Sequence, residues 1–244
     1  AAVNALMNDG TNNFKASKIA ELIDGKGAFY FNDIQDDYSS NVLYVLNKFT
    51  DVLLPLFADM IGNAVFDESE VDLYRERMKQ NFLIDREKVD VLSRQAMLNT
   101  MFGKNGAYGD PVSVTSFEEL NRAELIRFYD RFVRKKLKAV VVAGQINEDS
   151  RTRIMEILGG LPIENEEGSV ELPIRKDSLE PGSLVELKDQ TKQQVSMRFS
   201  AFTAPPGHPD YFGLRFLTTV LGGYFGSRLN KVLREEKGLT YGVH

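Results

Sequence analysis

The sequence predicts an α+β fold, and three observations carry that prediction. Helical and strand-like patterns follow one another without the strict βαβ alternation of a doubly wound parallel sheet. The pattern lapses over 163–182, "IENEEGSVELPIRKDSLEPG", which is charged, carries two prolines and has no period, so residues 1–162 and 183–244 read as separate pieces joined by a linker. A faint repeat links those pieces: "SKIAELI" with its later Lys26-Gly27 resembles "SRLNKVL" with its later Lys237-Gly238. Each copy then runs into a strand-like segment with an aromatic, Tyr30 in the first and Tyr241 in the second, as expected if the linker joins related halves.

The elements follow in order. A helix fits "FKASKIAELIDGKG", with Ala16, Ile19, Ala20 and Ile23 on one face and Gly25 and Gly27 as stop signals. "GAFYFND" and "SSNVLYVLNK", joined by "IQDD", read as paired strands; Val42, Tyr44 and Leu46 alternate with Leu43 and Val45, as in a strand apolar on both faces and covered by helices on one. "TDVLLPLFADMIG" is a helix that Pro55 should bend. A long helical region is expected from Asp67 to about Met101, opened by the capping box Asp67-x-x-Glu70. Ser116-x-x-Glu119 and Asn121-x-x-Glu124 are two further candidate boxes, leading into "ELIRFYDRFVR". "LKAVVVAGQI" reads as a buried strand and "NEDSRTRIMEILGGLP" as a helix. Beyond the linker, "SLVELKD" and "QQVSMRFSAF" read as strands, "TAPPGHPD" as a turn, "YFGLRFLTTVLGG" and "GSRLNKVLREE" as helices, and "GLTYGVH" as a strand.

Composition excludes several classes. With 244 residues, 43% hydrophobic and 27% charged, the chain can bury a core of normal size. A formal charge of -5 argues against a nucleic-acid or anionic-membrane surface. The densest basic run, "RFVRKKLK" (131–138), reads as the basic end of a helix. The absence of cysteine rules out disulfides and thiolate metal sites. No run of eighteen apolar residues exists, so no membrane-spanning helix is expected. A start at Ala1 and an end inside an apparent strand suggest a piece of a longer polypeptide.

Catalytic chemistry is constrained by the two histidines. His208 lies in a turn and His244 is the last residue; neither belongs to a His-x-x-x-His or His-x-x-Glu-His spacing, so no histidine-based metal site can be built within this sequence. Serine–histidine mechanisms fail for the same shortage. "LGGYFGSRL" follows a helix instead of a strand, which removes it as a dinucleotide fingerprint. Acidic clusters such as Asp67, Glu68 and Glu70 are explained by the helix dipole. There remain Arg234 and Tyr241, seven residues apart across a helix-to-strand corner. Two readings stand. The arginine satisfies helix carbonyls with a tyrosine packed nearby, or the pair polarises a substrate, the guanidinium holding a carbonyl and the phenol donating to a developing oxyanion. The second needs an attacking group that this chain does not supply.

"GSRLNKVLREEKGLTYGV" resembles the C-terminal-half signature of the insulinase or pitrilysin family, the inverted-motif zinc peptidases that include the mitochondrial processing peptidases. "DGTNNFKASKIAELIDGKGA", "FDESEVDLYRERMKQ", "AYGDPVSVTSFEELNRAELIRFYDRFV" and "VVVAGQI" follow the family's order, so the resemblance spans nearly the whole chain. It implies two similar α+β halves of the LuxS/processing-peptidase-like metalloprotease fold, each a largely antiparallel sheet packed by helices, with the second half truncated here. Residues 1–162 would be the half that carries zinc in the family, and 183–244 the start of the half that carries the Arg/Tyr motif.

The family's His-x-x-Glu-His precedes a Gly-Thr. Here Gly10-Thr11 is present, but the two histidines and the general base align with Ala1, Ala5 and Asn4, and the third ligand, a glutamate on a later helix, falls at Gln80 or Asn81. The resemblance therefore implies a member without the zinc motif. Its expected role is the non-catalytic, substrate-binding subunit of a heterodimeric zinc peptidase, inactive alone, that lends Arg234 and Tyr241 to a partner's zinc site. No cofactor is expected in this chain. The implied partners are a catalytic paralogue carrying His-x-x-Glu-His and a peptide or unfolded polypeptide, in the bacterial cytoplasm or periplasm. Two alternatives stay open: a peptide-binding or scaffold protein without proteolysis, and the inert half of a longer active peptidase.

Overall fold

Ile19 and Ile23, one helical turn apart, are both buried, and around them a first layer of structure assembles. In the computed structural model, which describes all residues except 105, 107, 110–111, 136, 162, 164–183, 190 and 244, the chain divides into two units, Ala1–Met197 and Arg198–His244. The expected linker at 163–182 lies, apart from Ile163, outside the described residues.

The first unit opens with α1 (Ala2–Leu6) and α2 (Ala16–Asp24). Strands β1 (Phe29–Ile34) and β2 (Ser39–Tyr44) then form an antiparallel hairpin, in register from Phe29 opposite Tyr44 to Ile34 opposite Ser39. One face of the hairpin sends Tyr30 and Leu43, with Val45 just beyond, against Ile19, Ile23, Leu53, Leu56 and Met60 of α2 and α3 (Thr50–Gly62). The other face is uncovered: Phe29 and Tyr44 are exposed, and Tyr44 stacks on Phe31 at 5.7 Å between ring centroids. Period-two alternation with apolar residues on both sides and one covered face is what the sequence predicts.

A second core joins α1 to α4 (Glu68–Asp85) and α7 (Arg122–Phe128): Val3, Leu6 and Met7 meet Val71, Tyr74, Leu125 and Tyr129 around Phe66. Phe66 has φ of 51°, a left-handed conformation unusual for a bulky residue. It is held there from several sides. Arg122 donates to the carbonyls of Phe66 and Val65, the Phe66 ring meets Tyr129 edge-on, and the Tyr129 hydroxyl donates to the Ile61 carbonyl at 2.6 Å. After α7 the chain winds as a π-helix over Tyr129–Val133.

Several expectations are corrected. The helical region from Asp67 is two helices, α4 and α5 (Val89–Phe102), because Lys88 adopts an extended backbone (φ -81°, ψ 131°) and starts α5 afresh. Asp67 caps α4 by accepting from the amide and hydroxyl of Ser69, so its carboxylate is engaged two residues on. Ser116 is not the cap of its helix but the third residue of α6 (Val114–Glu118), and the capping box is Ser113–Ser116. Asn121 caps α7 by accepting from the Glu124 amide, as expected, but the Glu124 carboxylate accepts from Arg127 and the box is not completed. Asn147 caps α8 (Glu148–Gly159) in the same way through Ser150. Pro55 sits inside α3, where it removes one backbone donor.

The α+β class holds, but ladder pairing among the described strands is confined to the hairpin. The described residues of the segments expected as strands at 137–146, 183–189, 193–202 and 238–244 carry no ladder; Val141, in the segment expected to be buried, is exposed, as are Val195 and Phe199. β-branched composition favours a pleated surface only where a neighbouring strand supplies the hydrogen bonds.

In the second unit, the backbone amide of Asp210 donates to Nδ1 of His208 just ahead of α9 (Tyr211–Gly222), so the histidine is a turn residue. A loop at 223–226 leads to Ser227, and the chain then winds as a π-helix over Asn230–Glu236 before the corner at Gly238.

Candidate functional site

The corner carrying Arg234 and Tyr241 is best understood beside its counterpart in the first unit. At the end of α2, Gly27 has φ of 60°; its amide donates to the Asp24 carbonyl (3.0 Å), and the Ala28 amide donates to the Ile23 carbonyl (3.1 Å). This is a Schellman closure, in which glycine supplies the left-handed residue. At the end of the 230–236 helix, Gly238 also has φ of 60°; its amide donates to the Arg234 carbonyl (3.2 Å), and the Leu239 amide donates to the Leu233 carbonyl (2.8 Å). The two closures use corresponding residues of the repeat.

They differ in length. Three residues separate Ile23 from Gly27, and four separate Leu233 from Gly238. The additional residue is taken up by π winding: the Lys237 amide reaches back five residues to the Val232 carbonyl at 3.1 Å. Arg234 thus stands where Asp24 stands in the first copy, in a wider turn. Its guanidinium lies over the Phe225 ring, 4.2 Å from the centroid, a cation–π contact. Tyr241, three residues after Gly238, is 95% exposed; its counterpart Tyr30 is half-buried and donates to Asn41 at 2.8 Å. Burial pushes the Tyr30 phenol up to about 12. One corner therefore withdraws its phenol into the fold while the other presents it.

Residue 230 secures the second corner. Asn230 and Ser227 are buried. The Asn230 side-chain amide donates to the carbonyls of Tyr224 (3.0 Å) and Val243 (3.1 Å) and to the Ser227 hydroxyl (3.0 Å), while its oxygen accepts from the Val243 amide (2.9 Å). In the sequence the one signal for this residue is an amide on the apolar side of a helix, next to Leu229.

The other candidate positions lie in the first unit. On α1, Asn4 is 5% exposed, its carbonyl accepts from Asn32 at 3.1 Å, and its side-chain nitrogen has no hydrogen-bond partner among the described residues. Ala5 is half-buried against the α1–α4–α7 core, whereas Ala1 is exposed. Gln80 and Asn81 are exposed on α4, which shares that core. Gly10 and Thr11 are structural: Gly10 has φ of 137°, and the Thr11 hydroxyl donates to Asp59 of α3 and accepts from the amides of Asn13 and Phe14. Nearby, burial raises the Asp9 carboxyl above its ordinary range, with Glu70 adding to the effect and Arg77 opposing it. The side chains at positions 1, 4, 5, 80 and 81 include no imidazole and no carboxylate, so they do not fit a zinc ion. Among the described residues no group of three or more acidic or histidine side chains could hold a metal. No described helix is long and apolar enough to cross a membrane.

Residues 119–244 match the family model described as the peptidase M16 inactive domain. A Bacillus subtilis protein described as the uncharacterized zinc protease YmxG is 23% identical over 96% of this chain and 56% of its own length. A Helicobacter pylori protein described as the non-peptidase homolog YmxG is 22% identical over 98% of this chain and 55% of its own length. The chain thus spans just over half the length of these curated relatives. Among solved structures, a peptidase M16 inactive domain from Pseudomonas fluorescens is similar over 99% of this chain and 58% of its own, with a TM-score of 0.73 at 20% identity. A protease from Helicobacter pylori is similar over 99% and 59%, with a TM-score of 0.72 at 17% identity. At such identities these structures speak to the fold alone.

Proposed function

The chain belongs to the peptidase M16 family, and from that membership we propose that it is the non-catalytic, substrate-binding subunit of a heterodimeric zinc peptidase. In this reading it lends Arg234 and Tyr241 to the zinc site of a paralogue that carries His-x-x-Glu-His. The observation that carries the proposal is the contrast between the two motif regions: the zinc positions hold Ala1, Asn4, Ala5, Gln80 and Asn81, while the corner bearing Arg234 and Tyr241 is fully built, closed at Gly238 and tied by Asn230, with the phenol 95% exposed.

Each residue has a chemical task. The guanidinium, fixed over Phe225, offers N–H donors to a peptide carbonyl oxygen, and the Tyr241 hydroxyl donates to the same oxygen as negative charge develops on it. The peptide itself would lie as an added strand on a sheet edge, where main-chain hydrogen bonds give affinity with little sequence preference. Neither outer edge of the β1–β2 hairpin is paired among the described residues, which favours 28–47 for that task.

The test is zinc content and cleavage of a quenched fluorescent peptide by the intact protein, alone and mixed with a His-x-x-Glu-His paralogue. The expected result is no zinc and no cleavage alone, with activity on mixing that falls about 100-fold for Arg234→Ala or Tyr241→Phe, the scale typical of losing one oxyanion donor. Stoichiometric zinc and cleavage by the intact protein alone would overturn the subunit reading and favour the inert half of a longer peptidase. A second reading, peptide binding without proteolysis, draws on the Helicobacter pylori relative described as a non-peptidase homolog. Peptide affinity that no paralogue converts into cleavage would favour it.

A further inference from the structure

We propose that Asn230 is the positioning residue of the second corner, holding the segment that bears Tyr241 against the helix that bears Arg234. The inference rests on the reading of Arg234 and Tyr241 as a substrate-side pair, and it adds the group that sets the position of one relative to the other. Asn230 is one helical turn before Arg234, and Val243 is two residues after Tyr241. The Asn230 carboxamide engages both the amide and the carbonyl of Val243, at 2.9 and 3.1 Å. That two-point bond does for residue 243 what a neighbouring strand would do, in a stretch that has no ladder partner among the described residues. Its nitrogen also reaches the Tyr224 carbonyl, beside the Phe225 ring on which Arg234 rests. One side chain therefore ties together the seat of the guanidinium and the far end of the phenol's segment.

Burial makes the arrangement demanding. Asn230 is 5% exposed and Ser227 fully buried, so each bond lost leaves a polar group without water to replace the partner. A carboxamide suits this pattern, since it offers one acceptor to the Val243 amide and two N–H donors that the oxygens of Tyr224, Ser227 and Val243 share. The side chain does not touch substrate in this scheme; it acts through Tyr241.

The experiment is a double-mutant cycle on the intact protein mixed with its catalytic paralogue, read by peptide cleavage, with amide exchange of residues 239–243 followed in parallel. Asn230→Ala is expected to lower kcat about 10-fold or more with KM little changed, since a displacement of about 1 Å is enough for losses of that order. In a Tyr241→Phe background the same substitution should cost less than about 2-fold. The Val243 amide should exchange at least about 10-fold faster in Asn230→Ala. Should Asn230→Ala not fold, Ser227→Ala, which removes a single anchor of the carboxamide, should give a smaller loss with the same dependence on Tyr241. Equal losses in both backgrounds, or unchanged Val243 exchange, would overturn the proposal. If Tyr241→Phe alone leaves cleavage unchanged, the substrate role of the pair fails, and the exchange measurement still decides whether Asn230 holds the corner.

Discussion

Replacing Gly238 by alanine probes the backbone of the second corner separately from any chemistry. Gly238 has φ of 60°, and an added Cβ there would meet nothing within 4 Å. The entire cost must then come from the left-handed backbone, about 1–2 kcal/mol for an L-residue. The restricted unfolded chain returns about 0.4–1 kcal/mol. The net expectation is a loss of about 1 kcal/mol, or about a 5-fold shift in the local opening equilibrium, with RT near 0.59 kcal/mol. Gly27 has the same φ and the same open surroundings, so Gly27→Ala should cost the same. The assay is native-state amide exchange of Leu239 and Ala28, whose amides close the two corners, with chemical denaturation of the same variants. A loss above about 3 kcal/mol at either position would mean a steric conflict that the geometry does not contain. A gain in stability would mean that the glycine does not hold a left-handed conformation. A difference of more than about 1 kcal/mol between the two would break the equivalence of the corners.

Two further predictions concern the core around Phe66. Burial pushes the Tyr129 phenol from 10.0 up to about 12; because the folded state holds its proton more tightly, that contribution is complete below about pH 10 and is lost as the pH rises toward 12, amounting to about 2 kcal/mol. Alkaline denaturation of Tyr129→Phe should be shallower than that of the parent by about this amount, and coincident alkaline curves would refute the assignment. Phe66→Ala should destabilise the first unit by about 3–5 kcal/mol, measured by denaturant titration; a cost near zero would mean that the Phe66–Tyr129 contact is not part of the core.

What the sequence made legible was local. Ile19 and Ile23 a turn apart, the alternation at 42–46 and the glycines at 27 and 238 each specify a conformation within a few residues, and α2, the hairpin and both corners stand where those signals lie. The division of the long helix at Lys88 was not legible, because no glycine or proline marks it. Ser113 and Ser116 offer the same hydroxyl, and only the helix start decides which one caps. The segment around Val140–Val142 has strand composition, but a ladder depends on a neighbour that its own residues do not encode. The candidate pair was visible as Arg234 and Tyr241, while the group tying them was not: the bonds between Asn230 and Val243 span thirteen positions. The π winding was hidden too, since "NKVLREE" has the composition of an ordinary helix.

The one-residue difference between the two corners has a consequence at the level of the gene. Exchange of single nucleotides replaces one side chain by another and leaves the number of residues between Leu233 and Gly238 untouched. Passing from the narrow corner to the wide one requires the gain or loss of a whole codon in frame. Substitution can therefore alter what either corner presents, but it does not change the number of residues that separates the narrow corner from the wide one.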